Sequence, residues 1–464
     1  VNMDLNRNSQ YDGPNDPWTP GVPFEDLNGN GLYDAPNGRY DYGEPFVDLN
    51  HNGKWDAADG FFDYGYNQWA FYQDRKSIVN TLDFKVTKQL FTELQNKTGF
   101  QLKYNEISMA DLRYPWQPYD GQPDGGPWPE IGVFRDFYEQ YPWEGAFFTS
   151  FSLEFGSLIA KLGARLDIFK QSDNIGQLEV EDLEGKDSDE YSTKISPRIG
   201  ISYPITDKAK IYFNYGHFYQ LPEFQYMYRR ATQASNAFGI VGNFNLDYQK
   251  NIQYEIGMTY TLSNDYIFEM AGFYNDWFGL INSQRKTYGP FQRNEYENSD
   301  YARTRGLEFE LRKVYGNYVS GRASYTYAFA YGKSSSESSN YFDDFYNRAI
   351  PIREFPLNWD VRHQLTMQFS LSIPKSDKPK LFGFRIPNDW NATVIWQYGT
   401  GYPYTPTRDY PGLRLLPGED PQQNSLRYPA YSNVDLRFRK NFSLAGLDYV
   451  FELWVTNLFN TENW

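Results

Sequence analysis

The first 66 residues contain three short runs of Asp and Asn whose spacing suits a hard metal ion. Oxygen-bearing side chains stand at positions 1, 3, 5 and 9 of each run, and two of the runs have Gly at position 6. Calcium takes six to eight oxygen ligands, and a Gly at the sixth position permits the sharp turn that closes such a loop. The sequence therefore predicts calcium ligands at Asp4, Asn6, Asn8 and Asp12 in a first loop, Asp26, Asn28, Asn30 and Asp34 in a second, and Asp48, Asn50, Asn52, Asp56 and Asp59 in a third.

The second and third loops lie in two copies of a 22-residue repeat, residues 21–42 and 43–64. Their spacing resembles that of the calcium loops of EF-hands, dockerins and thrombospondin type 3 repeats. The third loop has Asp59 at the twelfth position instead of the Glu of an EF-hand, and the flanking sequence is rich in Pro and Gly rather than helical. We predict two or three bound Ca²⁺ ions. The alternatives are Mg²⁺, an empty site, or an acidic linker rich in turns.

From residue 67 onward, apolar and polar side chains alternate in segments of about ten residues. The segment 363–374 is unbroken, with Leu365, Met367, Phe369 and Leu371 on one face and Gln, Thr and Ser on the other. A strand that crosses a bilayer needs about 9–11 tilted residues, whereas soluble sandwiches use strands of about 5–6 residues. The pattern favours an all-β transmembrane antiparallel barrel over a soluble β-protein.

The alternation predicts fourteen strands joined by short and long connections in turn. Polar residues of neighbouring strands should face the lumen and form ion pairs across the barrel wall; these are Arg305, Glu308, Glu310, Arg312 and Arg322. The long connections are expected at about 109–144, 171–193, 218–249, 283–300, 333–357 and 401–428. The strands are predicted near 80–90, 97–108, 145–156, 157–170, 194–204, 208–217, 250–262, 265–282, 301–314, 316–332, 358–374, 388–400, 429–441 and 446–458.

Composition narrows the function classes. The sequence contains no run of about 20 apolar residues, the length that a transmembrane helix needs. Aromatic residues make up 19% of the chain, which fits the interfacial aromatic girdles of a barrel. A net charge of −15 argues against a nucleic-acid partner. There is no Cys, and the three histidines are far apart in sequence, so neither a thiol site nor a zinc or catalytic cluster is expected. The chain is predicted not to be an enzyme and to hold no organic cofactor.

An ordered set of motifs in residues 190–460 resembles the TonB-dependent outer-membrane receptors. Ser196-Pro197-Arg198-Ile199-Gly200 is followed by Tyr215-Gly216-His217-Phe218 and then by Pro222, similar to the P-R-x-G strand and Y-G-x-x-F-x-x-P run of that family. The segments 251–260, 268–281 and 301–311 are similar to its E-x-G, F-Y and G-x-E-x-E strands, and 457–460 reads N-L-F-N. Each motif alone is weak, but their order matches as well.

The resemblance implies a 22-stranded barrel with an N-terminal plug, in the outer membrane of a Gram-negative bacterium. It implies outer-membrane lipid and an inner-membrane TonB-type protein as partners, the latter reached through a missing N-terminal part, and import of a nutrient whose identity the sequence does not give. We therefore predict two domains, calcium-binding extracellular loops in 1–66 and a receptor-like barrel, incomplete at both ends, in 67–464.

Two alternatives from other classes stay open. One is a barrel without transport that serves as a surface anchor, adhesin or assembly component, with a surface lipoprotein or other surface protein as partner. The other is a secreted, calcium-dependent glycan-binding β-protein.

Overall fold

The structure is a computed structural model that describes residues 46–47, 60–61, 71–113, 134–172, 191–229, 240–288 and 291–463, the last range without 317, 347, 349, 352, 409 and 412–420. Strands dominate these ranges, and the helices are two short segments, α1 Phe224–Tyr228 and α2 Ser339–Phe345. Neither these nor any other helix in the described ranges has the length and apolarity to span a membrane.

The strands are β1 Phe46–Val47, β2 Gly60–Phe61, β3 Phe71–Phe91, β4 Leu94–Arg113, β5 Phe134–Gln140, β6 Trp143–Phe155, β7 Leu158–Lys170, β8 Tyr191–Thr206, β9 Ala209–Gln220, β10 Ile240–Val241, β11 Gln249–Ser263, β12 Tyr266–Tyr288, β13 Phe291–Gly316, β14 Val319–Gly332, β15 Phe355–Pro356, β16 His363–Ile373, β17 Lys380–Leu381, β18 Phe384–Arg385, β19 Trp390–Gly399, β20 Pro403–Tyr404, β21 Leu426–Arg427, β22 Tyr431–Leu444 and β23 Leu447–Val455. Fourteen of them are long strands of the main sheet, and each overlaps one strand predicted from the alternation, which confirms that prediction.

The long strands form one sheet whose hydrogen-bonded order closes on itself. The order runs β3, β4, β6, β7, β8, β9, β11, β12, β13, β14, β16, β19, β22 and β23, and β23 then neighbours β3. From β4 round to β23 each neighbouring pair is antiparallel. Every long strand therefore has two partners, which satisfies the backbone groups of a sheet in lipid. This is the predicted all-β antiparallel barrel architecture.

The two faces of the sheet differ as the sequence predicts. Leu307, Met367 and Phe369 point to the outer face, where each leaves 39–50% of its surface exposed. On the other face, which we call the luminal face, Arg322 pairs with Glu310 at 2.5 Å and Arg312 with Glu269 at 3.4 Å. The predicted ion pairing across the wall is confirmed for these residues.

Arg305 is an exception, and its predicted position was wrong. It is two residues from Leu307 in β13, and its register partners are Tyr274 and Phe329 of the adjacent strands. Because side chains alternate along a strand, Arg305 shares the outer face with Leu307, whereas Glu308 and Glu310 lie on the luminal face. Its positive charge suggested a luminal position, but side chains alternate between the two faces along a strand, and this alternation places Arg305 on the outer face.

Most short connections lie at one end of the strands and most long ones at the other; the exceptions are residues 289–290 between β12 and β13 and residues 374–389 between β16 and β19. Two residues suffice between β3 and β4, β6 and β7, β8 and β9, β11 and β12, β13 and β14, and β22 and β23. In the last of these turns Ala445 and Gly446 have φ of 53° and 80°, the positive values that a tight hairpin with a type I′ turn requires. The connections at the other end contain the helices and most of the short strands.

The long connection predicted at 283–300 was also wrong, because β12 and β13 continue through it. Their pairing reaches Thr287 with Gln292, so the two strands have 23 and 26 residues. Residues 283–300 are polar on both faces, which hid the strands from an argument based on an apolar face. The extension instead has neighbours at its sides, since β10 pairs with β13 and the backbone N–H of Tyr341 in α2 donates to Ser283 Oγ at 2.8 Å.

The chain divides into two compact units. One comprises 1–78, 106–140 and 229–239, and within it β4 pairs with β5 and Lys76 bonds Glu106 at 2.8 Å. The other comprises 79–105, 141–228 and 240–464. In this second unit the long connections have small cores of their own, one of them formed by Ala302, Ala330, Phe355 and Leu357.

Candidate functional site

The predicted calcium ligands, from Asp4 to Asp59, all lie outside the described residues. The described strands β1 and β2 nevertheless flank the third loop directly. Val47 pairs with Gly60 and Phe46 with Phe61, so the two ends of segment 48–59 meet in one antiparallel ladder. Among the residues that the structure does describe, no group of three His, Asp or Glu side chains is placed to hold a metal ion.

The luminal face of β4, β7 and β8 carries a strip of basic side chains, which we call the basic strip. It consists of Lys97, Lys161, Arg165 and Arg198, and all four line one cavity of about 1030 Å³. Arg198 lies over the ring of Phe218 at 4.5 Å, which supports its guanidinium without neutralising it. The strip follows from the alternation of these strands, which places every second residue on the same side.

Acidic side chains occupy the luminal face of β11, β12 and β13; this acidic strip consists of Glu255, Glu269, Glu308 and Glu310. Glu255 and Glu308 line the same cavity as the basic strip. Glu255 accepts a hydrogen bond from the Tyr212 hydroxyl at 2.9 Å, and Arg312 and Arg322 pair with Glu269 and Glu310. The luminal wall thus presents two regions of opposite charge to whatever fills it.

A smaller cavity of about 350 Å³ lies where the luminal face reaches the long connections. Its wall holds two ion pairs, Lys103 with Glu144 at 3.3 Å and Arg165 with Asp167 at 2.7 Å. Tyr219 and Tyr248 also line it. Charged pairs beside aromatic rings can bind a polar ligand through hydrogen bonds and ring stacking, so this cavity is a candidate ligand site.

Asp247 fixes the connection between β9 and β11 to the start of β8. Its carboxylate accepts hydrogen bonds from Ser192 Oγ at 2.7 Å, from Lys194 Nζ at 2.5 Å and from the Tyr248 backbone N–H at 2.9 Å. Partial burial opposes ionisation of this carboxyl group, but the three hydrogen bonds and the charge of Lys194 outweigh it and lower its pKa below the ordinary value of 3.8.

Asp360 joins two other long connections. Its side chain is fully buried and accepts hydrogen bonds from the backbone N–H of Ala330 at 2.7 Å and from Arg362 Nε at 3.0 Å. Arg427, in the connection between β19 and β22, donates to the same carboxylate and to the Gly401 carbonyl at 3.1 Å. Two guanidinium groups thus compensate one buried carboxylate, as a buried charge requires.

Some of these residues had a signal in the sequence and others had none. The basic strip occupies polar positions of predicted strands, so the alternation could have identified it. Asp247 and Asp360 lie in connections, and each has a charged partner far along the chain: Lys194 is 53 residues from Asp247, and Arg427 is 67 residues from Asp360. The histidines that the structure describes are separate, since His217 bonds Tyr215 and His363 bonds Tyr325.

The comparisons with known proteins agree with this architecture. The model of the family described as TonB dependent receptor-like, beta-barrel matches residues 1–458. No curated protein sequence matches the chain.

Three of the solved structures with the same fold are as follows. The outer membrane transporter YddB from Escherichia coli has a TM-score of 0.55 at 11% identity, over 84% of this chain and 51% of that one. FpvA of P. aeruginosa bound to pyoverdines gives 0.54 at 12% identity, over 84% and 45%, and the FrpB iron transporter from Neisseria meningitidis gives 0.53 at 11% identity, over 83% and 51%.

These identities show the fold alone, and the chain spans about half the length of these structures. The family model, in contrast, covers nearly the whole chain. The structure agrees with it, because the antiparallel sheet is closed, with an apolar outer face and a charged luminal face. The chain therefore belongs to the TonB-dependent receptor β-barrel family, whose members lie in the outer membrane of Gram-negative bacteria.

Proposed function

We propose that this chain is the barrel part of an outer-membrane importer that takes up a nutrient with energy from a TonB-type inner-membrane protein. The observation that carries the proposal is the charged luminal wall, where the basic strip and the acidic strip line one cavity of about 1030 Å³. A barrel that served only as an anchor would need no such cavity. The family resemblance implies an N-terminal plug, and we propose that this space would hold it.

The smaller luminal cavity, of about 350 Å³, supports a ligand site at the end of the strands where the long connections lie. The pairs Lys103–Glu144 and Arg165–Asp167 line this cavity together with Tyr219 and Tyr248. We propose that these connections are extracellular and that the nutrient is bound here before it enters the lumen. We propose a transporter and not an enzyme, because the chain belongs to the TonB-dependent receptor β-barrel family.

We also propose that the loops of residues 4–59 bind Ca²⁺. The support is the pairing of β1 with β2, which closes a segment of twelve residues, 48–59, at its two ends. Twelve residues is the length over which oxygen ligands at positions 1, 3, 5, 7, 9 and 12 surround a calcium ion. The metal would stiffen this region of the chain, which we propose to be extracellular.

The transport proposal is tested by uptake in the native host. Strains with the intact gene, a deletion and a complemented deletion are grown in one rich medium, and depletion of its components is followed by mass spectrometry with and without a protonophore. We expect at least one component to be depleted only when the gene is present and the proton gradient is intact. Equal depletion in all three strains would reject import, and loss of a surface protein from the deletion strain would favour the anchor.

A further inference from the structure

The outer face of the sheet has an apolar groove that no described part of the chain fills. The groove measures about 490 Å³ and crosses β11 to β14 at the level of Gly272. Its walls are side chains of the outer face, among them Ile256, Tyr274, Leu307 and Tyr327. Gly272 is part of the lining and has no side chain to fill the groove; a Cβ there would stand in ordinary contact, 3.4 Å from Leu307 and 4.0 Å from Ile256. A groove of this kind, in the face that meets lipid, has the chemistry of an acyl-chain site.

Two arginines lie at one end of this groove. Arg305 and Phe329 line both the groove and a second, smaller cavity of about 150 Å³, which Arg303 and Glu354 also line. Arg303 and Arg305 are two residues apart in β13, on the outer face and toward the long connections. The apolar groove therefore continues into a cationic cavity.

The hydrogen-bonding capacity of these arginines is incompletely used. Arg303 contacts Glu354 at 3.2 Å through one terminal nitrogen, while its buried Nε has no partner. Arg305 is exposed, and among the described residues it forms no ion pair; its nearest defined contact is the ring of Phe329 at 5.9 Å. Asp276 is the register partner of Arg303, so the carboxylates of this region, Asp276 and Glu354, are both beside Arg303 rather than Arg305.

An unpaired arginine on a lipid-facing surface calls for an anionic partner. Near the membrane interface such a residue is tolerated much better than at the bilayer midplane, and a guanidinium matches a phosphate geometrically with two parallel hydrogen bonds. Tyrosines in the neighbouring strands are consistent with an interfacial level, because Tyr254 and Tyr274 lie in ring contact at 6.3 Å on the same face.

We propose that this groove is a binding site for a phosphorylated membrane lipid, whose phosphate contacts Arg303 and Arg305 and whose acyl chain lies over Gly272. The apolar part alone gives no preference among lipids, because other lipid tails are equally apolar. Selectivity comes from the net negative charge of an anionic phosphate that no headgroup cation neutralises. The site is on the outside of the sheet, so it is separate from the transport path and does not depend on the proposed function.

The test uses the protein purified in detergent and titrated with dioleoyl phosphatidic acid or dioleoyl phosphatidylcholine, with bound lipid counted by native mass spectrometry. The two lipids share their acyl chains, but phosphatidic acid presents an anionic phosphate monoester, whereas choline esterifies and neutralises the phosphate of phosphatidylcholine. We expect phosphatidic acid to bind about tenfold more tightly, since one charge-assisted hydrogen bond is worth at least about 1.4 kcal/mol.

Matched variants separate the two parts of the site. Arg305→Gln should remove most of the preference for phosphatidic acid, while Arg385→Gln, on an exposed residue of β18, should leave it unchanged. Gly272→Leu fills the groove and should weaken both lipids alike. Gly145→Leu is its control, because Gly145 is also on the outer face and a Cβ there would stand 3.6 Å from Leu102, in ordinary contact.

Three outcomes would overturn the proposal. Equal binding of both lipids would remove the phosphate site, and a preference that survives Arg305→Gln would move it elsewhere. Competition by a large excess of inorganic phosphate, together with no effect of Gly272→Leu, would identify free phosphate instead of a lipid as the ligand. Because the readout is lipid bound to folded protein in detergent, failure of the import experiment would leave this result unaffected.

Discussion

Buried carboxylates hold the long connections of this chain together, and Asp360 is the clearest case. Its carboxylate joins β14, the connection that leads to β16 and the connection that leads to β22, through Ala330, Arg362 and Arg427. Arg362 also lies over the rings of Phe329, at 4.2 Å, and Tyr331, at 5.1 Å. One side chain thus positions elements that are distant in sequence.

Asp360→Ala should destabilise this region by about 3–5 kcal/mol, because removing one member of a buried ionic cluster leaves the other charges uncompensated. The long strands have their own hydrogen-bond ladder and should remain paired. Trypsin should then cut the connection between β19 and β22 in the variant at conditions where the parent resists. Asp207→Asn, in an exposed two-residue turn, is the control, and equal resistance of all three proteins would contradict the assigned role.

Asp247 gives the chain a pH dependence whose sign follows from its lowered pKa. A carboxylate whose pKa is lower in the folded state stabilises that state above its unfolded pKa, and this contribution is lost as pH falls through the folded value. The loss should therefore occur below pH 3.8, the ordinary value for this group.

Hydrogen exchange of residues 240–248, corrected for the intrinsic rate, should accelerate in the parent only under those acidic conditions. Asp247→Asn removes the charge and should accelerate exchange already at neutral pH, with no further change on acidification. Glu223→Gln is a suitable control, because Glu223 is exposed in the same connection. An acid response that persists in Asp247→Asn would assign the titration to another group.

At the scale of elements, alternation of apolar and polar residues was enough to predict the long strands. It worked because lipid on one side and charge on the other impose different residues on successive positions. It failed at 283–300, where both faces are polar and the pairing of β12 with β13 carries the strands onward without an apolar face. The prediction for Arg305 failed for a different reason. Its charge suggested the luminal face, but Arg305 is two residues from Leu307 and therefore lies on the outer face with it.

The facing of β16 predicts unequal effects at adjacent positions. Phe369 lies on the outer face with 50% of its surface exposed, whereas Gln368 is the register partner of Arg322 on the luminal face. Phe369→Arg should cost about 2–4 kcal/mol if the residue is near the bilayer midplane. Gln368→Arg should cost less, because the new Arg would face Arg322, and two like charges on opposite strands destabilise a sheet by only about 0.2–1 kcal/mol.

Folding of both variants into lipid vesicles, titrated with urea, gives the two free energies of unfolding. Spin labels at the same positions provide a second measurement, in which lipid-soluble oxygen should relax the label at 369 more than the label at 368. Equal relaxation, or the reverse order, would show that the assignment of the faces is wrong.

At the scale of the whole molecule, the sequence predicted the family but left the substrate undetermined. Motif order in 190–460 and the strand count both depend on local patterns, which one sequence records. The arrangement of the mouth depends on contacts between connections, such as Lys194 with Asp247 and Arg427 with Asp360, which no local pattern encodes. Ligand specificity arises from such contacts, so it could not be predicted in the same way.

The calcium loops belong to this scale because they concern how one region of the chain acquires order. Residues 4–59 hold many Asp and Asn but few aliphatic side chains, so apolar burial offers little to offset the conformational entropy lost on ordering. Bound metal would supply the missing free energy. All the predicted ligands are hard oxygens, without thiol or clustered imidazole, and this favours Ca²⁺ over Zn²⁺.

We therefore expect Ca²⁺ to protect residues 1–66 from limited proteolysis in the intact protein, and a chelator to abolish this protection while the long strands stay resistant. Extracellular calcium modules bind with dissociation constants of about 10⁻⁴–10⁻³ M, so protection should be half-maximal in that range. Asp48→Asn removes the negative charge of the first ligand of the third loop and should shift the midpoint to higher calcium. Asp16→Asn, in the same region but outside the ligand pattern, should not shift it. If the rate of cleavage were unchanged both by the chelator and by Asp48→Asn, the repeats would be an acidic linker. The pairing of Val47 with Gly60 would then close a segment that holds no metal.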